Sequence, residues 1–325
     1  MMSKIGKYIL PLILTIPLNV RAQDHPTIDV GEAIGIIGQP GSEVYLGYAD
    51  QFSSTEGDTI YIVDMKNNEV LACSPEGELL FMIGGHGQGP GEFEQPRGII
   101  WSNGYLYVSD ERMNRVSVFK SDGTFLRAIR VQGRPRGLEV IDSQLFVGVT
   151  SGTTIVFAID LARHDNQTAI LTYEQASPSS NPLGISLGQP ILNSIGDRLY
   201  VGLPNVGRII QIEGGRVVGS FMPENEYTVS YWKHVRRVET DAGIVIPTVF
   251  EGITTWQDRF LLIRFRIRPP RSQPSSMLVF DANSGIEVGP RIIDSSLVFF
   301  RLTELPNGLF ACPDNGEAIV YLYDL

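Results

Sequence analysis

The chain is 325 residues long, enough for one large repeat domain or two ordinary ones, and 43% hydrophobic, with 34 glycines and 20 prolines, a composition suited to many short strands joined by turns. Its formal net charge of −10 argues against a nucleic-acid partner, because an acidic surface repels a polyanion. The only two cysteines, Cys73 and Cys312, sit in apolar strand-like stretches, and two buried thiols are expected rather than a disulfide.

At the amino terminus Lys4 and Lys7 precede an apolar run over residues 8–18, and Val20-Arg21-Ala22 offers a small-x-small cleavage site. This is the pattern of a secretory signal peptide over residues 1–22, cleaved after Ala22, and it predicts a periplasmic or secreted protein. The run is shorter than the roughly 20 apolar residues a membrane span needs, and Pro11 and Pro17 would disturb a spanning helix. No transmembrane span is therefore expected in the mature chain. Cleavage removes Lys4, Lys7 and Arg21 and no acid, so the net charge falls from −10 to −13.

Residues 27–37 form a strand-like segment, and residues 44–49 are read as the first inner strand, followed by a long turn over 51–56. From there a display strand of the form Leu-Tyr-Val recurs. It appears as Ile60-Tyr61-Ile62, Leu106-Tyr107-Val108, Leu145-Phe146-Val147, Leu199-Tyr200-Val201, Phe260-Leu261-Leu262 and Leu309-Phe310-Ala311. The spacing, about 40–60 residues, is the range of propeller blades. A turn signal precedes each copy, as in Asn103-Gly104 and Gly196-Asp197. Stepping back about seven residues from five of these strands lands on Ile99, Leu138, Leu192, Ile253 and Leu302, all aliphatic, as a fixed inner-strand core position requires. Third strands are expected at 69–72, 115–119, 154–159, 208–212, 277–280 and 318–323, with a fourth in most copies, as at 77–83, 123–130 and 215–221. The last copy ends after its third strand, so residues 27–37 are expected to complete it and close the ring. The predicted fold is all-β: a six-bladed β-propeller of four-stranded antiparallel blades over residues 23–325.

Residues 84–119 carry the clearest repeat, with the opening Gly-Gly-His-Gly-Gln-Gly-Pro-Gly-Glu-Phe, the strand Leu106-Tyr107-Val108-Ser109-Asp110 and the turn Asn114-Arg115-Val116. This stretch resembles an NHL repeat, and the chain as a whole resembles the bacterial exported six-bladed propellers of the NHL/TolB-like kind. The resemblance is strong over residues 57–129 and reduces to hydrophobic pattern from Ser143 onward. It implies the propeller fold and mainly binding roles, and it points to no catalytic residue.

Two long loops stand out on such a scaffold. The connector 223–247 holds Tyr227, Tyr231, Trp232, Arg236 and Arg237, and the turn 264–276 holds Arg264, Arg266, Arg268 and Arg271. Arginine with tyrosine and tryptophan is the composition of contact surfaces. The plainer alternative is a solvated hairpin face, since Arg264, Arg266 and Arg268 alternate with Phe265 and Ile267. Arg97, Arg136, Glu251 and Arg301 stand near the starts of inner strands, where they either converge on the channel mouth around an anion or tie neighbouring blades together. Glu139, Asn193 and Glu251 are an incomplete set of calcium ligands, or else ordinary polar positions. His25, His86, His164 and His234 lack zinc-site spacing, no serine lies in a Gly-x-Ser-x-Gly elbow, and the glycine loop 84–91 leads into a strand rather than a helix. The expectation is an exported, monomeric binding or scaffolding module without a cofactor, contacting a protein or an anionic ligand of the cell envelope through loops on one face. The alternative is a calcium-dependent, lactonase-like hydrolase or lyase at the channel mouth.

Overall fold

The computed structural model describes residues 27–39, 41–57, 59–163, 166–176, 187–223, 249–265, 276–293, 303–305, 308–314 and 319–324. The signal-peptide segment, His25, His164 and Leu302 lie outside them.

Two short strands come first, β1 (Thr27–Asp29) and β2 (Gly35–Ile37). The first blade is β3 (Ala49–Ser54), β4 (Ile60–Asp64), β5 (Glu69–Cys73) and β6 (Leu79–Gly84). The second is β7 (Pro96–Ser102), β8 (Tyr105–Asp110), β9 (Arg115–Lys120) and β10 (Phe125–Arg130). The third is β11 (Pro135–Ile141), β12 (Gln144–Val149), β13 (Thr154–Asp160) and β14 (Asn166–Thr172), followed by a single helical turn α1 (Tyr173–Ala176). The fourth is β15 (Ile191–Ile195), β16 (Arg198–Leu203), β17 (Arg208–Glu213) and β18 (Arg216–Phe221). The fifth is β19 (Phe250–Trp256), β20 (Phe260–Phe265), β21 (Ser276–Asp281) and β22 (Glu287–Ile293). The sixth is β23 (Thr303–Glu304), β24 (Phe310–Asp314) and β25 (Ile319–Tyr323), with β2 as its outer strand. The molecule is a six-bladed all-β propeller of four-stranded antiparallel blades.

The second strand of each blade is packed on both faces by neighbouring blades, which is why the Leu-Tyr-Val copies read as unbroken apolar runs. Every residue of β4 is buried, whereas the outer strand β6 alternates towards solvent. The core is divided into six hydrophobic clusters, each filling one seam between adjacent blades. The cluster between the sixth and first blades joins Leu305, Ala311 and Leu322 to Phe52, Ile60 and Cys73, so the ring is closed. Cys73 and Cys312 are buried in different seams, and burial pushes the Cys73 thiol up to about 12.

Closure departs from the sequence expectation in one respect. Only β2 completes the last blade, pairing antiparallel with β25 through Gly35↔Leu322, Ile36↔Tyr321 and Ile37↔Val320. β1 instead pairs parallel with β22, as a fifth strand on the fifth blade. The chain turns between them at Gly31 (φ 76), whose N–H donates to Asp29 Oδ1 at 3.2 Å, and Val30 and Ala33 pack on the seam it crosses.

The first inner strand is also displaced, lying at β3 (Ala49–Ser54) where a turn was expected. Val44 and Leu46 are buried, but as connector residues over the closing seam. The polar sequence of β3 hides it, because the Ser53 hydroxyl is consumed by the next blade, accepting from the Trp101 N–H at 2.8 Å. Phe52, opposite Ile62, is the inner-strand core residue of this blade, matching Ile99 opposite Val108.

Candidate functional site

Inner strands start at one mouth of the channel. The topology puts the connectors into them on that same face, together with the turns between second and third strands. The repeat signature builds this face. Asp110 is fully buried and accepts the backbone N–H groups of Glu94 and Gln95, each at 3.0 Å, clasping the incoming connector to the strand end. Asp64 does the same in the first blade for the Tyr48 N–H at 3.1 Å, and also accepts the Lys66 N–H at 3.0 Å. In the third blade, where valine replaces this aspartate, Ser151 Oγ accepts the Arg134 N–H instead, at 3.0 Å.

The glycine-rich loop is filled by its own chain. Gly89 N–H donates to Glu92 Oε2 at 2.8 Å, and Arg115 donates to the carbonyls of Gln88, Gly89 and Glu92 at 3.3, 3.2 and 2.7 Å. A carboxylate inside the loop and a guanidinium across its carbonyls leave the geometry of a structural turn, with Phe93 buried beneath it.

Arg97 and Arg136 do meet at the mouth, but on a shared acid. Arg97 Nε lies 3.0 Å and Arg136 Nη2 lies 2.7 Å from Glu111 Oε2, so the ion pair bridges the second and third blades. Burial lowers the Arg136 pKa first, then the charge of Arg97, while Glu111 and Asp50 pull it back up. Gly98 sits in the same junction because a Cβ there would lie 1.9 Å from the Arg136 carbonyl oxygen. Glu111 follows the repeat aspartate directly in sequence, which is the signal that would have marked it. On the far wall Arg264 Nη2 lies 3.4 Å from Glu251 Oε2, with the Arg264 side chain 13% exposed. At Arg264 that is a covered ion pair, while Arg266 and Arg268, the rest of the alternating set, lie outside the described residues. Tyr227, Tyr231, Trp232, Arg236, Arg237, Arg266, Arg268, Arg271, Arg301 and His234 lie outside the described residues.

The possible calcium ligands are held at separate seams. Asn193 Nδ2 donates to the Ile253 carbonyl at 3.2 Å, bridging the fourth and fifth blades. Glu139 accepts the Val140 N–H at 3.1 Å and bonds Ser194 across the third and fourth. Burial raises its carboxyl to about 7. Glu251 faces Arg264. Among the described residues no group of three His, Cys, Asp or Glu side chains is disposed to hold a metal ion.

Between these walls lies a cavity of 570 Å³, and a recess of 80 Å³ beside it extends to Arg97. Asp50, Gln51, Arg136, Thr150, Gln189, Asn193, Asn205, Glu251 and Thr303 supply its polar lining, and Ile191, Leu192, Phe250 and Ile253 its apolar lining. Sequence reasoning found Arg136, Asn193 and Glu251. It missed Asp50, Gln51, Thr150, Gln189, Asn205 and Thr303, which come from different blades and share no spacing.

A family model described as a six-bladed beta-propeller matches residues 42–131, the first two blades. None of the curated proteins matches the sequence. Among solved structures, a Bacteroides fragilis protein assigned as exported is 11% identical, covering 89% of this chain and 87% of its own, with a TM-score of 0.59. The Cps50 (Swd1) beta-propeller domain of Myceliophthora thermophila is 10% identical, covering 87% of this chain and 98% of its own, with a TM-score of 0.55. Kuenenia stuttgartiensis hydrazine synthase is 13% identical, covering 84% and 76%, with a TM-score of 0.53. Similarity at this level shows the fold, and proteins so different share it that the fold alone selects no activity.

Proposed function

We propose that the protein is an exported binding module that contacts a protein or anionic partner through the loops around one channel mouth. The observation that carries this reading is the attachment of the two basic-aromatic segments. Residues 224–248 run directly into Val249, Phe250 and Glu251, and residues 266–275 leave from Phe265, immediately after Arg264. Both are therefore tethered at the fifth-blade wall of the cavity, on the face where loops converge. Long loops on a rigid scaffold commonly carry recognition. Export rests on the signal-peptide pattern of residues 1–22, and the exported assignment of the Bacteroides relative is consistent with it.

Capture from envelope extract with the mature chain tests the reading. A partner should be retained at low salt and released as salt approaches physiological strength, because exposed charge is screened. Trp232→Ala or Arg268→Ala should each cost on the order of 2 kcal/mol of binding, as central aromatic and arginine anchors do. A large fall in melting temperature with capture intact would instead mean that these side chains pack the blade.

A further inference from the structure

We propose that the channel-mouth cavity is a binding site for a neutral, polyhydroxylated ligand, such as a saccharide unit. The first reason is charge. The charged side chains at the cavity and its recess balance, three against three: Arg97 and Arg136 share Glu111, Arg136 also feels Asp50, and Arg264 lies on Glu251. No net charge remains to reward an ion for losing its water, and an anion would have to compete with Glu111 at 2.7 Å for the guanidinium.

The second reason is what is left unspent. The side chains of Gln51, Thr150, Gln189 and Thr303 line the cavity and make no hydrogen bond among the described residues. They come from the first blade, the third blade, the connector into the fourth, and the sixth blade, so they reach the cavity from several sides. Carboxamides and hydroxyls each donate and accept. That is the complement of a sugar hydroxyl, which also does both. The third reason is shape. At 570 Å³ the cavity falls in the range of about 300–1,000 Å³ typical of small-molecule sites, and its apolar wall of Ile191, Leu192 and Ile253 suits the C–H face of a sugar ring.

This site is separate from the loop contact proposed above: it needs neither Trp232 nor Arg268, and either proposal can fail alone. The test is ligand-observed NMR and calorimetry on the mature chain. The probes are maltose, cellobiose, lactose and di-N-acetylchitobiose, with 3′-sialyllactose and inorganic phosphate as charged comparators. Immobilised neutral polysaccharide separates a chain end from a free sugar as the source. At least one neutral saccharide should bind, with an affinity insensitive to salt. Gln51→Ala and Thr303→Val should each weaken it about five-fold, the worth of one neutral hydrogen bond. Thr303→Ser, which keeps the hydroxyl, should retain it, and unchanged melting temperatures establish that the variants are folded. The proposal is overturned if no neutral saccharide binds, if binding persists unchanged in both variants, or if only the charged comparators bind and do so in a salt-dependent way.

Discussion

Glu139 shows how one polar side chain at a seam couples the ring to pH. The residue as a whole is half-buried, but its carboxyl lies inside the seam between the third and fourth blades. There it is hydrogen-bonded by the Val140 N–H and by Ser194. Burial disfavours the anion, and the two hydrogen bonds only partly offset it, leaving the pKa at about 7 against an ordinary value of 4.5. The folded state therefore holds this proton more tightly than the unfolded state does. That contribution is fully present below pH 4.5 and is lost as the pH rises through about 7. Glu304, hydrogen-bonded by Thr255 across the next-but-one seam, is shifted upward for the same reason, burial first. Glu139→Gln should keep a hydrogen bond to Ser194 without the charge. The variant should match the parent near pH 4.5 and exceed it by about 1–3 kcal/mol near pH 8, the span bounded by the shift after allowance for partial solvent access. Denaturant titrations of both proteins at a series of pH values check this. Parallel curves would mean that the carboxyl is hydrated in the folded protein.

At the scale of the strand and hairpin, the sequence was legible wherever one physical cause produced one pattern. The display strands β4, β8, β12 and β16 are buried on both faces, so their apolar runs and spacing identified the blades. β3 was illegible because its polar residues are spent on neighbours: Asp50 and Gln51 face the cavity, and Ser53 holds Trp101. The candidate site divides the same way. Charged residues at inner-strand starts could be picked out. That Arg97 and Arg136 share Glu111 could not, because the pairing exists only once two blades are side by side. Turn chemistry was legible too, and it exposes a weak hairpin. Asn103-Gly104 carries φ values of 52 and 81, the two positive values a tight hairpin between twisted strands needs. In the fifth blade the same role falls to Gln257 and Asp258, at 53 and 49, with no glycine to relieve the strain. Asp258→Gly should therefore stabilise the fold by about 0.5–1 kcal/mol, the usual penalty of a side chain held in the left-handed region less the entropy glycine adds to the unfolded chain. Thermal melts of the variant and parent decide it, and a lower midpoint would show that the aspartate makes a contact worth more than the strain.

On the scale of the whole ring, stability depends on how the first residues of the propeller return to the last blade. The two amino-terminal strands divide the task unequally. β1 adds three parallel pairs to the outside of a blade that already has four strands, so the ring is complete without it. β2 is the outer strand of the sixth blade, and its Ile37, fully buried, sits in the closing seam beside Val320 and Leu322. It is also pressed against the first blade. A Cβ on Gly35 would lie 2.2 Å from the Pro75 carbonyl oxygen, and one on Gly77 would lie 2.3 Å from that of Ile36. β2 therefore touches both sides of the seam, whereas β1 pairs with β22 of the fifth blade. A chain starting at Gly35 should lose only the marginal strand and the contacts of Val30 and Ala33, about 1–2 kcal/mol at the scale of a few part-buried apolar groups. A chain starting after Ile37 should lose several kcal/mol or aggregate, because it leaves the edge of β25 unpaired and the seam open. Ile37→Ala in the full-length protein gives an independent reading, with an expected cost of about 2–5 kcal/mol for a buried aliphatic cut back to a methyl group. Chemical denaturation with size-exclusion chromatography of the three proteins distinguishes these cases. Equal losses from the two truncations would place the closure in β1, and no loss from either would mean that the sixth blade seals the ring with three strands.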